Sequence, residues 1–290
     1  MSDAGDRYYQ GSGAVPLKGT LLMLVGGLAV VIPSTLVYAW GEFHVSHQKL
    51  KAIIAIVFAT LIGGAVQALA RYGAVRSRLF AGLAGATIGA LALYFAWMWF
   101  LVIYFQWNLQ VLLIDPGDLA KLVVQMVNQG VWQRRGAAIS PTELSFLFGG
   151  EALLLIGSAT LMATRNSEPY CEACGKWTKP SPPMALPATD SDGLTRELEN
   201  ERYEALLRLP QSPATEDAGI SAQVYSCPTC EESNYLTLSR VDVKKKGKDL
   251  AVTTTEFLTH LIVPHDVAEW VRRQRTAALE NTSSGPVSRT

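Results

Sequence analysis

Leu79–Phe105 reads LFAGLAGATIGALALYFAWMWFLVIYF, 27 residues without one Asp, Glu, Lys or Arg. About 20 apolar residues suffice to carry a helix across roughly 30 Å of hydrocarbon. This stretch is longer, so it is expected to tilt or to extend past the interface. Three more stretches reach the length needed, about 20 residues: Leu21–Trp40, Ala52–Ala70 and Leu144–Ala163. Aromatic residues gather at their ends, with Tyr38 and Trp40 closing the first and Trp97, Trp99, Tyr104 and Trp107 around the end of the third. Such rings favour the membrane–water boundary. The first stretch is too long for a secretory signal, follows acidic residues, and lacks a small-residue cleavage site after it. The expectation is a mainly α protein built on a four-helix transmembrane bundle, over residues 21–165, after an N-terminal segment, 1–20.

Charge marks where the membrane part ends. Only 17% of the 290 residues are charged, against the roughly 25% of soluble domains. Residues 1–164 hold 10 basic and 7 acidic residues, whereas residues 165–290 hold 15 and 18. The tail is thus ordinary soluble protein with a net charge of −3, which disfavours binding to nucleic acid. Four spans put both termini on one side. That side carries eight basic residues near the spans, among them Arg71, Arg76 and Arg78 in the short second loop, against five on the other. The positive-inside rule therefore places both termini in the cytoplasm.

Between the third and fourth spans, Asp115-Pro116-Gly117-Asp118 can start a helix and Gly130 can end it. Leu119, Leu122, Val123, Met126 and Val127 recur at helical spacing, which predicts an amphipathic helix over about 116–130 outside the cytoplasm. It would lie on the membrane surface, cap the bundle, or pack on its own loop. Ser140-Pro141-Thr142-Glu143 reads as a capping box for the fourth span. Small residues, among them Gly26-Gly27, Gly63-Gly64, Gly85, Gly89 and Gly149-Gly150, allow close helix approach. Internal packing is the expectation, and a homo-oligomer is the alternative. Pro33 is expected to kink the first span. Glu151 is the one ionisable residue deep in a span. An isolated carboxylate there costs several kcal/mol unless it is neutralised, paired or wet. It is either a hydrogen-bonded glutamic acid that fixes packing or part of an ion- or proton-coupled site. The sequence offers it no obvious basic partner within the spans.

All four cysteines fall in the tail, as Cys171-Glu-Ala-Cys174 and Cys227-Pro-Thr-Cys230. A two-residue spacing lets both thiolates of a pair grip one tetrahedral metal, and two such pairs with no cysteine left over point to structural zinc. Disulfides, a redox dithiol or an iron–sulfur site are the alternatives. The 52 residues between the pairs exceed the usual spacing, so an insertion is expected to loop out. Residues 180–193, with Ser181-Pro182-Pro183 and Gly193, read as a linker, and Leu194–Leu209 as a helix. Gln223–Ser226, Asn234–Val243 and Leu250–Thr255 read as strands, with Lys244-Lys245-Lys246-Gly247-Lys248-Asp249 as a turn. The result expected over 166–279 is a small α+β, zinc-ribbon-like domain. A helix starts at Pro264 and runs to about Ala277, and 280–290 is expected to be disordered. Lys244, Lys245, Lys246 and Lys248 could touch lipid headgroups or merely solvate a turn. His44 and His47 on the first loop are too few to make a metal site by themselves, and His260 and His265 have no telling spacing.

The chain resembles a family of uncharacterised bacterial four-span membrane proteins with a C-terminal, four-cysteine, zinc-ribbon-like tail. The resemblance is carried by Tyr8-Tyr9-Gln10-Gly11-Ser12-Gly13, Gly130-Val131-Trp132, Gly150-Glu151-Ala152-Leu153 and Tyr170-Cys171-Glu172-Ala173-Cys174-Gly175-Lys176-Trp177. The chain departs from the family pattern at Gly11, where proline is frequent, and in a less aromatic first loop, Gly41–Lys49. The resemblance implies a bacterial inner membrane and the same topology, and brings no activity with it. Three functions compete. A membrane-anchored scaffold would recruit a protein partner through the zinc module. A transporter or channel component would use Glu151. A membrane enzyme is the weakest, because no phosphate-binding loop, Gly-x-Ser-x-Gly or His-Glu-x-x-His motif occurs.

Overall fold

The computed structural model describes residues 7–45, 47–110, 114–129, 133–134, 137–138, 140–166, 168–210, 219–230, 232–246 and 249–273. The chain divides into two units: Ser12–Ser167, and Met1–Gly11 together with Glu168–Thr290. Helix predominates, and the sheet is confined almost wholly to the second unit.

In the first unit, four helices are long and apolar enough to cross a membrane: Leu17–His44, Gln48–Tyr72, Arg78–Tyr104 and Pro141–Ala163. The first, second and fourth run past the apolar stretches that announce them, and the third matches its stretch to within one residue at each end. The first contains a π-helical turn, Leu22–Gly26, and continues through Pro33 to His44. Polar caps fix two of the other starts. Ser77 Oγ accepts from Phe80 N–H, and Ser140 Oγ accepts from Glu143 N–H with Pro141 in the first turn. Side chains at these positions satisfy amide donors that a helix start leaves orphaned.

The third helix packs on the first and fourth, and the second on the first and fourth. Met23, Val31, Ile62, Val66, Ile88, Leu155 and Ala159 fill the interior. The outward surface is apolar too, with Val57, Leu83, Leu153 and Leu161 all at least 60% exposed. A water-soluble protein rarely leaves so much contiguous apolar surface bare. Glycines set the helix spacing. A Cβ on Gly85 would stand 2.6 Å from the Ala159 carbonyl oxygen, and one on Gly89 2.8 Å from the Ile156 Cα. A Cβ on Gly63 would meet the Met162 sulfur at 2.5 Å. Ser158 Oγ adds a hydrogen bond to the Ala59 carbonyl across the second and fourth helices, at 3.1 Å. Gly149 and Gly150 behave differently from the packing expectation: a Cβ there would meet nothing within 4 Å.

The expected amphipathic helix forms at Pro116–Asn128, capped by Asp115, whose Oδ1 accepts from Gly117 and Asp118 N–H. It buries Leu119 and Met126 against Met98, Leu101 and Val102 of the third helix, so it caps that end of the bundle. Tyr94 Oη donates to the Ile114 carbonyl oxygen at 2.9 Å and ties the approach to the same helix. A short hairpin follows, β1 (Gln133–Arg134) with β2 (Ala137–Ala138).

The second unit is a five-stranded antiparallel sheet plus a small hairpin. The hairpin pairs β3 (Tyr170–Cys171) with β4 (Lys176–Trp177). The sheet runs β5 (Lys179–Pro180), β7 (Gly219–Ser226), β8 (Asn234–Lys246), β9 (Asp249–Ile262), and β6 (Met184–Pro187) pairs with β7 beside β5. One face buries Leu186, Ile220, Val224, Leu236, Leu238, Leu258 and Leu261 under helices Ser191–Glu199, Glu204–Leu207 and 265–273.

Four expectations need correction here. Residues 180–193 are not a linker: β5, β6 and the start of a helix occupy most of them. Pro182 and Pro183 interrupt an edge strand, where proline's missing donor is tolerated. Ser181 bridges the gap, its N–H donating to the Val224 carbonyl and its Oγ accepting from Val224 N–H at 3.1 Å. The helix expected over Leu194–Leu209 starts at Ser191 and breaks at Glu201, which sits at φ 60 and reverses the chain. The strands around the lysine run are longer than expected. Lys244, Lys245 and Lys246 belong to β8 and pair with Ala251, Leu250 and Asp249. Lys248 itself, the end of the last helix beyond 273, and 280–290 lie outside the described residues.

The fourth correction concerns the N-terminal segment, whose first part belongs to the second unit. Tyr8 forms an antiparallel bridge with Leu261, and Tyr9 N–H donates to the His260 carbonyl at 2.9 Å. Tyr8 Oη donates to Glu199 Oε1 at 2.6 Å, and the Tyr9 ring meets Tyr235 edge-on. Burial and the adjoining Glu199 carboxylate push the Tyr8 phenol up to about 12.

Candidate metal centre and a polar cleft

The two cysteine pairs meet because β5 pairs with β7. Lys179 opposite Ser226 sets the chain just after the first pair against the chain just before the second. The insertion therefore does not loop out. It supplies the sheet edge and two covering helices, and its own folding delivers Cys171 and Cys174 to Cys227 and Cys230. Each pair sits at the turn of a hairpin, β3–β4 for the first and β7–β8 for the second. In the first turn Gly175 N–H donates to the Cys171 carbonyl at 2.9 Å, and Gly175 adopts φ 64. That left-handed conformation favours glycine. In the second, Cys227 N–H donates to the Ser233 carbonyl at 3.1 Å. Two links join the turns: Lys176 Nζ to Thr229 Oγ1 at 3.0 Å, and Ser233 Oγ to Cys171 Sγ at 3.3 Å. Thr178 is fully buried beneath the first hairpin, where both its N–H and its hydroxyl donate to the Pro169 carbonyl.

All four sulfurs lie within 4.8 Å of one another as free thiols, with Cys171 Sγ and Cys230 Sγ 3.6 Å apart. Tetrahedral metal–thiolate bonds of about 2.3 Å place sulfurs roughly 3.8 Å apart, so the cage fits one metal ion with little adjustment. Cys171 and Cys227 are buried, and Cys174 and Cys230 are half-buried. The acidities are those of a set that shares charge. The Glu232 N–H, and then the Cys174 thiol, draw Cys230 down to about 6. Hydrogen bonding to Cys230 pushes Cys174 up to about 12. A thiol easily ionised beside one hard to ionise is the behaviour of a closely coupled pair.

Glu151 is not isolated. Tyr38 Oη donates to its Oε1 at 2.7 Å, and the Tyr38 ring stacks on Phe58 with centroids 4.4 Å apart. Glu42 and Lys51 stand in the same cleft, with Lys51 Nζ 3.6 Å from Glu42 Oε2 and donating to the Glu42 carbonyl oxygen at 2.5 Å. Lys51, from beyond the apolar run, brings a basic group into the cleft, where it pairs with Glu42. Glu42 and Lys51 fall outside the uninterrupted apolar runs, but the helices extend far enough to bring both in. The available signal was Glu42 following Tyr38 at i, i+4, on one helix face. Lys244, Lys245 and Lys246 stand at the far end of the β8–β9 hairpin, in the second unit and away from the cysteines. His44 Nδ1 engages the Trp40 carbonyl, and the His260 ring packs edge-on against Tyr225. In comparisons with known proteins, no family model, no curated protein and no solved structure matched the chain.

Proposed function

We propose that the chain is a four-span protein of a bacterial cytoplasmic membrane, and that it carries a zinc-ordered, ribbon-like domain on the cytoplasmic side to dock a protein partner. The observation that carries this reading is the convergence of four free thiols within 4.8 Å on two hairpin turns. Filling all four coordination positions with protein sulfur leaves none for substrate, which favours a structural over a catalytic ion. A bound zinc would supply the binding free energy that holds β3–β4 against the β7–β8 turn. Free thiols suit a reducing compartment, and so does the arginine-rich second loop. The apolar outward surface of the four long helices supports insertion, and the two turns around Cys174 and Cys230 offer the partner a rigid edge.

The test is metal analysis of the full chain purified from membranes in mild detergent, with thiol counting before and after chelation. One zinc per chain and four thiols protected until chelation are expected. Metal-free protein, or fewer than four thiols after reduction-free denaturation, would overturn the reading. The docking role is tested by crosslinking in membranes. A partner captured by the wild-type chain and lost in Cys227→Ser is expected, and an identical capture pattern would refute it.

A further inference from the structure

Among the described residues of the first unit, charge, aromatic rings and open space coincide in the cleft around Glu151. Its cavity volume is about 70 Å³, and it opens to the outside. Its walls are Tyr38 and Glu42 of the first helix, Lys51 of the second, Trp97 and Phe100 of the third, and Phe148 with Glu151 of the fourth. Glu42 lies two residues from the end of its helix, and Lys51 in the first turn of the next. At 1.5 Å per residue, the cleft therefore reaches from the helix ends down to Glu151, roughly 15 Å from the start of its helix. That range covers headgroup depth for a helix crossing the bilayer.

Its charge is unbalanced. Lys51 pairs with Glu42 and Glu151 accepts from the Tyr38 hydroxyl, so two carboxylates share one ammonium in the cleft. A carboxylate so placed is stabilised by a cation from outside. The aromatic walls narrow the kind of cation, because rings such as Trp97 and Phe148 attract ammonium groups through their π faces. Trp97 and Phe148 already meet edge-to-face at 4.8 Å, which makes a rigid wall.

We propose that this cleft binds a small ammonium group, with Glu151 as its counter-ion and the aromatic walls as its cage. The group belongs either to a free amine or to the headgroup of an aminolipid. The inference does not depend on the metal centre.

The full chain is placed in nanodiscs of phosphatidylglycerol, which carries no ammonium. Methylammonium chloride is titrated by calorimetry against sodium chloride at equal ionic strength. Saturable binding of methylammonium and none of sodium is expected. Glu151→Gln should weaken it tenfold or more. Lys51→Gln should tighten it several-fold, because it frees Glu42 to act as a second anion. A packing role for Glu151 predicts no such opposed pair, so the two variants shifting together, or neither shifting, would overturn the proposal. If Glu151→Gln does not assemble, Lys51→Gln decides: tightening supports the site, and unchanged or weaker binding refutes it. No saturable binding by the wild-type chain also refutes it. Repeating the titration in phosphatidylethanolamine discs separates the sources. An aminolipid occupant blocks methylammonium there and is retained in native mass spectra, whereas a free amine binds equally in both discs.

Discussion

Removing the metal should release one hairpin and leave the main sheet standing. The β3–β4 hairpin has two residue pairs, Tyr170 with Trp177 and Cys171 with Lys176. The β7–β8 ladder has eight, backed by buried Ile220, Val224, Leu236 and Leu238. With β5 still paired to β7 through Lys179 and Ser226, a metal joining Cys174 to Cys227 closes a short loop. The chain-entropy relation for a loop of about six residues gives about 2 kcal/mol at 25 °C. A difference of that size corresponds to roughly thirtyfold in an opening equilibrium. Hydrogen exchange on the full chain, followed by mass spectrometry, should therefore show amides over 168–180 exchanging roughly thirtyfold faster after chelation or in Cys227→Ser. Peptides from β8 should change little. Unchanged exchange over 168–180 in Cys227→Ser would refute the clamp. Equal loss of protection in β8 would refute its local character and make the metal a condition for the whole sheet.

Gly85→Leu should separate the third and fourth helices, because even a Cβ would lie 2.6 Å from backbone oxygen; loss of the folded species in detergent gel filtration checks this. Leu236→Ala should destabilise the second unit by about 2–5 kcal/mol, read as lowered hydrogen-exchange protection in β7 and β8. Tyr8→Phe removes the hydrogen bond to Glu199, worth about 1 kcal/mol, and should quicken proteolysis between Tyr9 and Leu17. The same contact has a pH signature. The folded Tyr8 pKa is raised, so its contribution is complete below pH 10 and fades as pH climbs toward 12. Wild-type protease sensitivity should therefore converge on that of Tyr8→Phe across that window.

The parts legible in the sequence were those set by one strong local property. The four long helices follow from length and apolarity, the amphipathic helix from the Asp115 cap and its apolar spacing, and the cysteine cluster from two-residue spacing. What was hidden depended on a distant partner. Ser181-Pro182-Pro183 has the composition of a linker, and only pairing with β7 makes a strand of its neighbours. Glu201 breaks a helix by adopting a left-handed conformation that nothing in its type announces. Glu42 and Lys51 look like loop charges when helices are cut at the last apolar residue. Real helices run on until a cap or a turn ends them, and here that extra turn carries the charges into the cleft.

The Tyr8 bridge bears on sidedness in a way that the charge pattern does not. It joins residue 8, before the first long helix, to Leu261, after the fourth, within one unit. A chain can close that bridge only when an even number of membrane crossings separates the two residues. Any topology with three crossings, for example with Leu17–His44 lying along the surface, would put Tyr8 and β9 on opposite sides of the bilayer. The parity of the spans and the docking of Tyr8 and Tyr9 are thus one constraint, resting on hydrogen bonds rather than on hydropathy. Which side holds the unit is a separate matter, on which the proposed function commits to the reducing one. A membrane-impermeant thiol reagent applied to intact cells, carrying a chain with one cysteine introduced at Ser12, tests it: labelling without lysis would reverse the orientation of every soluble element at once.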